Sequence, residues 1–354
     1  MAYFLKCRAY VNRIFVLMKK LCFLLLLLSA CKHERKVNTS FYYWKTIYKL
    51  NPREDSCLRQ LHTRQLYVRI MDVDIDDNGE AVPISPITFK ENLPDTIKIV
   101  PVVFIVNDIL KGIDTPRLDK LSAHIVDFVG AKVKQAGKQD YRELQIDCDW
   151  TATTRDSYFY LLKQITKRTS VQHKILSATL RLHQLKNQKT SGIPPVNRVM
   201  LMCYNMGNLR KYGTQNSILE LSELKKYLNG NVSDYPLPMD VGLPLFSWAV
   251  AFRDKQYIGI SKSLKYTSLI DKNQFKFIGK NLYKTVTDLP QYGLKSGDEI
   301  RWEAVSEDDL NHAAAYISPF IKTDSLNIIY FHLDDALINA YTYAALQKTS
   351  AVFR

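Results

Sequence analysis

The chain has little of what would mark it as a redox, metal or nucleic-acid protein. Its six cysteines in 354 residues include no CxxC pair, so neither a thiol redox couple nor a zinc ribbon is expected. Zinc-finger, helix-turn-helix and RNA-binding signatures are missing, which argues against nucleic acid as a partner despite the net charge of +14. No glycine-rich phosphate loop follows the first apolar run, and this disfavours a dinucleotide-binding open sheet. Internal repeats and low-complexity tracts do not stand out. The single long apolar run, near the amino terminus, falls short of the roughly 20 residues that a membrane helix needs.

That run reads as an export signal instead. From Met18 the sequence is MKKLCFLLLLLSAC: two lysines, a short apolar core, then Ser29 and Ala30 leading into Cys31, the order of a secretory leader. LLLSAC resembles the bacterial lipobox, in which the cysteine becomes the lipidated amino terminus. The expectation is a leader over residues 1–30, with Met18 a more natural start than Met1 since Met1–Leu17 would lengthen it unusually, and lipid on Cys31. The resulting lipoprotein of the bacterial envelope has no Asp-type retention signal at Lys32 and His33, so the outer membrane is favoured. Loss of Lys6, Arg8, Arg13, Lys19 and Lys20 lowers the net charge from +14 to +9. The remaining basic balance suits anionic lipid or polyanionic glycan, although a solvated basic surface is the commoner explanation.

After a charged stretch read as a tether over 31–39, short β-branched or aromatic runs alternate with longer helical patterns. The runs are Phe41–Tyr48, Leu66–Val73, Ile97–Val106, Glu143–Asp149, Leu176–His183, Arg198–Tyr204, Gly242–Val250 and Leu326–Leu333. Eight parallel strands close a (β/α)8 barrel, so residues 40–354 are expected to form one such domain; a doubly wound open sheet is the alternative. Helices are expected over Asp156–Arg168, Ser217–Leu228 and Glu307–Ile321. QYIGI, FKFIG and EIRWEAV, separated by Asp-Lys-Asn and Ser-Gly-Asp turns, indicate a β-rich insertion at about 254–305. Cys148 and Cys203 fall on the fourth and sixth strands, which are not neighbours in a barrel. With Cys57 they are expected to be free, buried thiols.

Barrels of this kind gather their ligand groups at the carboxyl ends of the strands. Those ends supply Asp72, Asp74 and Asp76, Asn107, Asp147, Asp149 and Trp150, Arg181 and His183, Tyr204 and Asn205, Trp248, and His332, Asp334 and Asp335. Acids and amides grip sugar hydroxyls, and aromatic faces cover the apolar side of a pyranose. Asp72, Asp74 and Asp76 run into Asn78-Gly79 and read as a polar turn rather than a calcium loop. No metal or cofactor is expected. In ELQIDCDW, period-2 alternation puts Asp147 and Asp149 on one face and Leu144, Ile146 and Cys148 on the other. Two inward carboxylates need donors or a shared proton to be tolerated.

Three segments in chain order resemble the glycoside hydrolase family 18 barrels, the chitinase type. QIDCDW is similar to the end of the fourth-strand signature DxxDxDxE, MCYN to the sixth-strand M-x-Y-D, and VGLPLF to the seventh-strand G-L-P-x-Y/F. With YYWKT, LSATLRLH and YNMG, the pattern also resembles an uncharacterised family of bacterial barrel lipoproteins. The resemblance implies that Asp147 and Asp149 match the second and third aspartates of the signature and Trp150 the residue before the catalytic Glu. It also implies departures: Leu144 at the first Asp, Thr151 at the Glu, Asn205 at the sixth-strand Asp. In that family the Glu protonates the leaving oxygen while the substrate's acetamido group attacks. A threonine hydroxyl cannot serve as that acid.

Two functions follow as expectations. The first is a monomeric envelope protein that binds glycan or cell-wall polysaccharide without cleaving it. The second is a glycoside hydrolase with Asp149 as general acid and Asp147 as its partner. In either case Trp150, Arg181, His183, Tyr204, Asn205, Trp248, His332 and Asp334 are the candidate ligand contacts.

Overall fold

The computed structural model describes residues 35–228, 232–261 and 263–354; Cys31 and the leader lie outside them. Val37–Arg354 forms one compact unit. Its barrel strands are β1 (Lys36–Tyr43), β2 (Gln65–Ile75), β3 (Lys98–Ile105), β4 (Glu143–Cys148), β5 (Ile175–Arg181), β6 (Arg198–Met202), β7 (Met239–Pro244) and β8 (Ser325–Phe331). Each pairs in parallel with the next, and β8 returns to β1. Pairing of Phe41 with Leu66 and of Tyr43 with Val68 joins β1 to β2 in the same closed sheet, so an open, doubly wound arrangement is ruled out. The fold is a (β/α)8 barrel.

The principal helices are α1 (Pro52–Gln60), α2 (Thr115–Gln135), α3 (Arg155–Lys167), α4 (Leu221–Leu228), α5 (Glu307–Ile317) and α6 (Tyr343–Ala351). Local chemistry sets their ends. Asn51 caps α1 and receives the reciprocal bond from Glu54, while Asp114 and Pro116 start α2. Along α2, Leu118, Leu121, Ile125, Val129 and Val133 recur at helical spacing and are buried. α5 stops at Ile317, short of the expected Ile321, because Pro319 has no backbone N–H to continue the ladder and a 3-10 turn takes over. α4 begins at Leu221 rather than Ser217. Ser217 and Ile218 instead accept backbone bonds from Met206 and Asn205, and this pins the loop after β6.

Strand limits moved in two places. β1 opens at Lys36, so Lys36–Thr39, read as tether, are already barrel. The seventh run divides: β7 ends at Pro244, and Trp248–Arg253 is the first strand of a separate antiparallel sheet with 256–261, 275–279, 282–285 and 299–303. The inserted sheet thus occupies 248–303 rather than 254–305. Pro244, which lacks a backbone donor, marks the break.

The barrel interior is unusually polar. On β4, Leu144, Ile146 and Cys148 are buried under the helices, and Glu143, Gln145 and Asp147 occupy the opposite face, also buried. Tyr42 donates its hydroxyl to Gln145 Oε1. Ser177 Oγ donates to Glu143 at 2.7 Å. Asn327 donates from backbone and side chain to Asp240, at 2.8 and 3.1 Å, and Arg198 reaches the same carboxylate at 3.2 Å. These bonds supply the donors that buried acids need. The cysteines among the described residues, Cys57, Cys148 and Cys203, are buried free thiols.

Candidate active site at the barrel mouth

Asp147 and Asp149 follow the expected register, and each has its own partner. Asp147, 6 % exposed, accepts a 2.6 Å bond from Thr179 Oγ1 on β5. Burial, then the neighbouring charge of Asp149, pushes its carboxyl up to about 6, against the opposing effects of Thr179 and Arg181. Asp149 is gripped by the Arg181 guanidinium from β5: Nε donates to one oxygen, Nη2 to the other at 2.7 Å. Bidentate geometry makes this a strong, oriented ion pair. A second such pair stands at the end of β2, where Arg69 meets Asp72 through Nε at 2.6 Å and Nη2 at 2.5 Å. Its guanidinium carbon lies 6.0 Å from the ring centre of Trp44.

Aromatic rings form an arc around these acids. Trp44 and Phe331 are 5.4 Å apart, Phe331 and Phe246 5.8 Å, Phe246 and Trp248 5.2 Å; all four are half-buried. Tyr204 packs beneath, 5.6 Å from Phe331 and 6.1 Å from Phe246. Gly242 makes room for it. A Cβ there would sit 2.6 Å from Met200 Sδ and 3.2 Å from Tyr204 Cε1, so the glycine of VGLPLF serves close approach rather than a turn.

Other predicted residues have different surroundings. Trp150 is fully buried: it stacks 5.1 Å from Tyr158 of α3 and donates Nε1–H to the Ser191 carbonyl at 2.9 Å. As the residue after an inward-facing Asp149, it must face the helices, and it is a packing residue rather than a ligand contact. Thr151 is exposed; its amide and hydroxyl bond Thr154 and Thr153 in the turn before α3. His183 lies on the short helix Leu182–Lys186 with part of its side chain open to solvent; packing around the rest of the ring and the Arg181 charge lower its imidazole. Asn205 has left-handed backbone, φ 55°, which asparagine tolerates, and its side chain is exposed.

At the opposite rim, Trp248 donates to Glu303 at 2.9 Å. Asp334 caps a short helix through the Ala336 amide and lies 3.5 Å from Lys45. His332 follows Phe331 across a cis peptide; burial lowers its imidazole to about 4, and Nδ1 lacks a partner. Asp76, from the polar turn, accepts from the amides of Asn78 and Glu80. Sequence reasoning passed over Arg69, Trp44, Phe246 and Phe331 as site residues. The three aromatics were visible in YYWKT, VGLPLF and the run before His332, but nothing in spacing alone shows that three distant strand ends converge.

The insertion braces this mouth. Arg301 and Glu303, both fully buried, pair at 2.6 Å. Arg301 also donates to the carbonyls of Leu209 and Lys211, at 2.9 and 2.6 Å, and Glu303 accepts from the Ser217 amide and hydroxyl at 2.8 and 2.5 Å. The loop after β6 and the inserted sheet are one bonded unit.

No protein-family model matches the chain, and no curated protein does. Solved structures do match in fold. The spore cortex-lytic enzyme SleL of Bacillus megaterium QM B1551 superposes with a TM-score of 0.57 at 13 % identity, covering 90 % of this chain and 75 % of that one. A chitinase of Chromobacterium violaceum gives 0.54 at 13 % identity, with 88 % and 98 % covered. The Group IV chitinase of Ostrinia furnacalis gives 0.52 at 10 % identity, with 90 % and 100 % covered. The barrel is therefore similar in fold to chitinases and to a cortex-lytic enzyme.

Proposed function

We propose that the barrel mouth binds a glycan, with N-acetylated polymers such as chitin or cell-wall polysaccharide as the first class to test, and does not cleave it by the acetamido-assisted route. The observation that carries this is the state of the acids. Asp149 has both oxygens committed to Arg181 and Asp147 is bonded to Thr179, while Thr151, at the position the resemblance assigns to the acid, is bonded into a turn. The half-buried arc of Trp44, Phe331, Phe246 and Trp248 offers apolar faces to pyranose rings. Support also comes from the fold neighbours, one of which, an Ostrinia furnacalis Group II chitinase domain with a TM-score of 0.50, was solved in complex with (NAG)5.

One observation favours the hydrolase reading. Asp147 holds its proton up to about pH 6, and a protonated carboxyl beside an ionised one is the arrangement of an acid pair. The roles would then be reversed from the sequence expectation, with Asp147 donating and Asp149 charged.

Calorimetry and mass spectrometry on chito-oligosaccharides and peptidoglycan fragments separate the readings. Binding without products, weakened at least tenfold in Phe246→Ala, is expected; shortened oligosaccharides that vanish with Asp147→Asn would establish the hydrolase instead. Thr151→Glu probes descent from a cleaving barrel. We further propose envelope attachment through lipid on Cys31, the outer membrane being favoured. Cys31→Ala should lose the acyl mass and detergent-phase partitioning, and unchanged partitioning would refute this.

A further inference from the structure

The free edge of the inserted sheet combines exposed apolar side chains with uncompensated positive charge. Strand 275–279 is last in the sheet order and pairs only with 282–285 among the described residues. Of the eleven large hydrophobic side chains exposed among the described residues, six lie within the 29 residues from 258 to 286, a density far above the scattered exposure normal for a soluble surface. Phe277 is 57 % exposed, Tyr266 50 % and Ile270 61 %. Phe277 packs on Tyr283 at 5.4 Å and Tyr266 on Trp302 at 5.8 Å. Tyr283 is paired with Ile300, two residues before Trp302 on one strand, so these rings share a face. That face is opposite to the one on which Arg301 and Glu303 meet the barrel loop.

Between Ser263 and Gly297 there are six lysines and two aspartates. Lys265, Lys272, Lys276, Lys280, Lys284 and Lys295 are all exposed, and none is in an ion pair among the described residues. Both aspartates are engaged: Asp271 accepts from the Asn273 amide, Asp288 from that of Ser296, at 2.9 and 2.7 Å. Lys276 stands directly opposite Lys284 in the hairpin. Like charges at that spacing destabilise a strand pair, but Lys284 also stands opposite Glu299 on the next strand, and both lysines lie on the sheet face away from Phe277.

We infer that this hairpin docks on an anionic phospholipid bilayer, with Phe277, Tyr266 and Ile270 entering the interface and Lys265, Lys272 and Lys280, in the loops and turns beside them, lying at the phosphates. Amphipathic elements with lysines around aromatic and aliphatic tips bind in this way. Strand addition by another protein is disfavoured, since edge lysines are a device against it. A second copy of the same surface would bring six more lysines against the first six. The expected lipid on Cys31 would hold the domain within reach of such a bilayer, although the surface argument stands without it.

The test uses the full chain on vesicles of phosphatidylcholine with and without phosphatidylglycerol, read by hydrogen exchange of peptides covering 265–295. Exchange there is expected to slow on the anionic vesicles alone, to recover in high salt, and to stay unchanged elsewhere in the barrel. Lys272→Gln with Lys280→Gln should weaken docking by about twenty-five-fold, at about fivefold per lysine. Both are exposed turn residues, so hairpin exchange off the membrane should stay as in the wild type, and this excludes simple misfolding. Phe277→Ser should weaken docking with the charge intact. Equal protection on neutral vesicles, or protection that appears without lipid and grows with protein concentration, would overturn the inference, the latter in favour of self-association.

Discussion

Asp147 and Asp149 differ by two positions in sequence and by everything in environment. Because burial raises the Asp147 pKa to about 6 from an ordinary 3.8, the folded state binds its proton more tightly than the unfolded state does. The resulting stabilisation is complete below pH 3.8 and is lost as pH rises through about 6, a difference of about 3 kcal/mol by pH 8. Asp147→Asn keeps an acceptor for Thr179 and removes the charge. It should therefore be more stable than wild type at pH 8 by up to that amount and equal to it near pH 3, as thermal melts at the two pH values would show. The neighbours act on the same proton with opposite signs: Arg181→Gln should move the Asp147 titration up and Asp149→Asn should move it down, both measurable by carboxyl carbon NMR. Period-2 alternation showed in the sequence that both acids share a face. It did not show Arg181 closing on Asp149, because a contact between neighbouring strands depends on register, and register is absent from either strand's own pattern. The same alternation, carried one residue further, already assigns Trp150 to the helix side; its place at a strand end had made it a candidate ligand contact.

Among elements, the strand ends were harder to read than the strands. Six of the eight expected runs overlap their barrel strands closely, since β-branched residues bounded by polar turns are a local signal. Of the other two, Phe41–Tyr48 shares only Phe41–Tyr43 with β1, and Gly242–Val250 joined two strands because LFSWAVAF continues the apolar run past Pro244 while the chain leaves the barrel. What holds the departed strand is a pair that no local pattern reveals, Arg301 with Glu303. Glu303→Gln would leave a fully buried guanidinium short of its counter-charge and should cost about 3–5 kcal/mol, whereas Trp248→Phe removes one hydrogen bond and should cost about 1 kcal/mol. Urea denaturation of the two variants tests this ordering. A smaller loss in Glu303→Gln than in Trp248→Phe would mean that the insertion is held by packing alone.

At the level of the whole molecule, the barrel concentrates its buried acids on its axis. Glu143 is pushed up to about 7 and Asp240 upward, both chiefly by burial, and they join Asp147 in binding protons more tightly when folded. Asp140 at the surface is held below the usual range by Lys174, and Asp298, buried in the inserted sheet, is held there against the effect of burial by Arg253, so their contribution is present above pH 3.8 and is lost on acidification. The two sets pull in opposite directions. Stability should peak near the ordinary carboxyl pKa, at about pH 4, and decline towards pH 8, as a melting-temperature profile would show, with the decline reduced in Asp147→Asn.

The bonded unit formed by the inserted sheet and the loop after β6 has a kinetic meaning. With Arg301 fastened to two loop carbonyls and Glu303 to Ser217 and Trp248, the rim beside the aromatic arc is braced by buried bonds, and a saccharide bound there as proposed would meet a groove of fixed width. Capture should then be a single bimolecular event: in stopped-flow, the observed rate rises linearly with saccharide concentration and shows no plateau, and discrimination between sugars resides in how fast each one leaves.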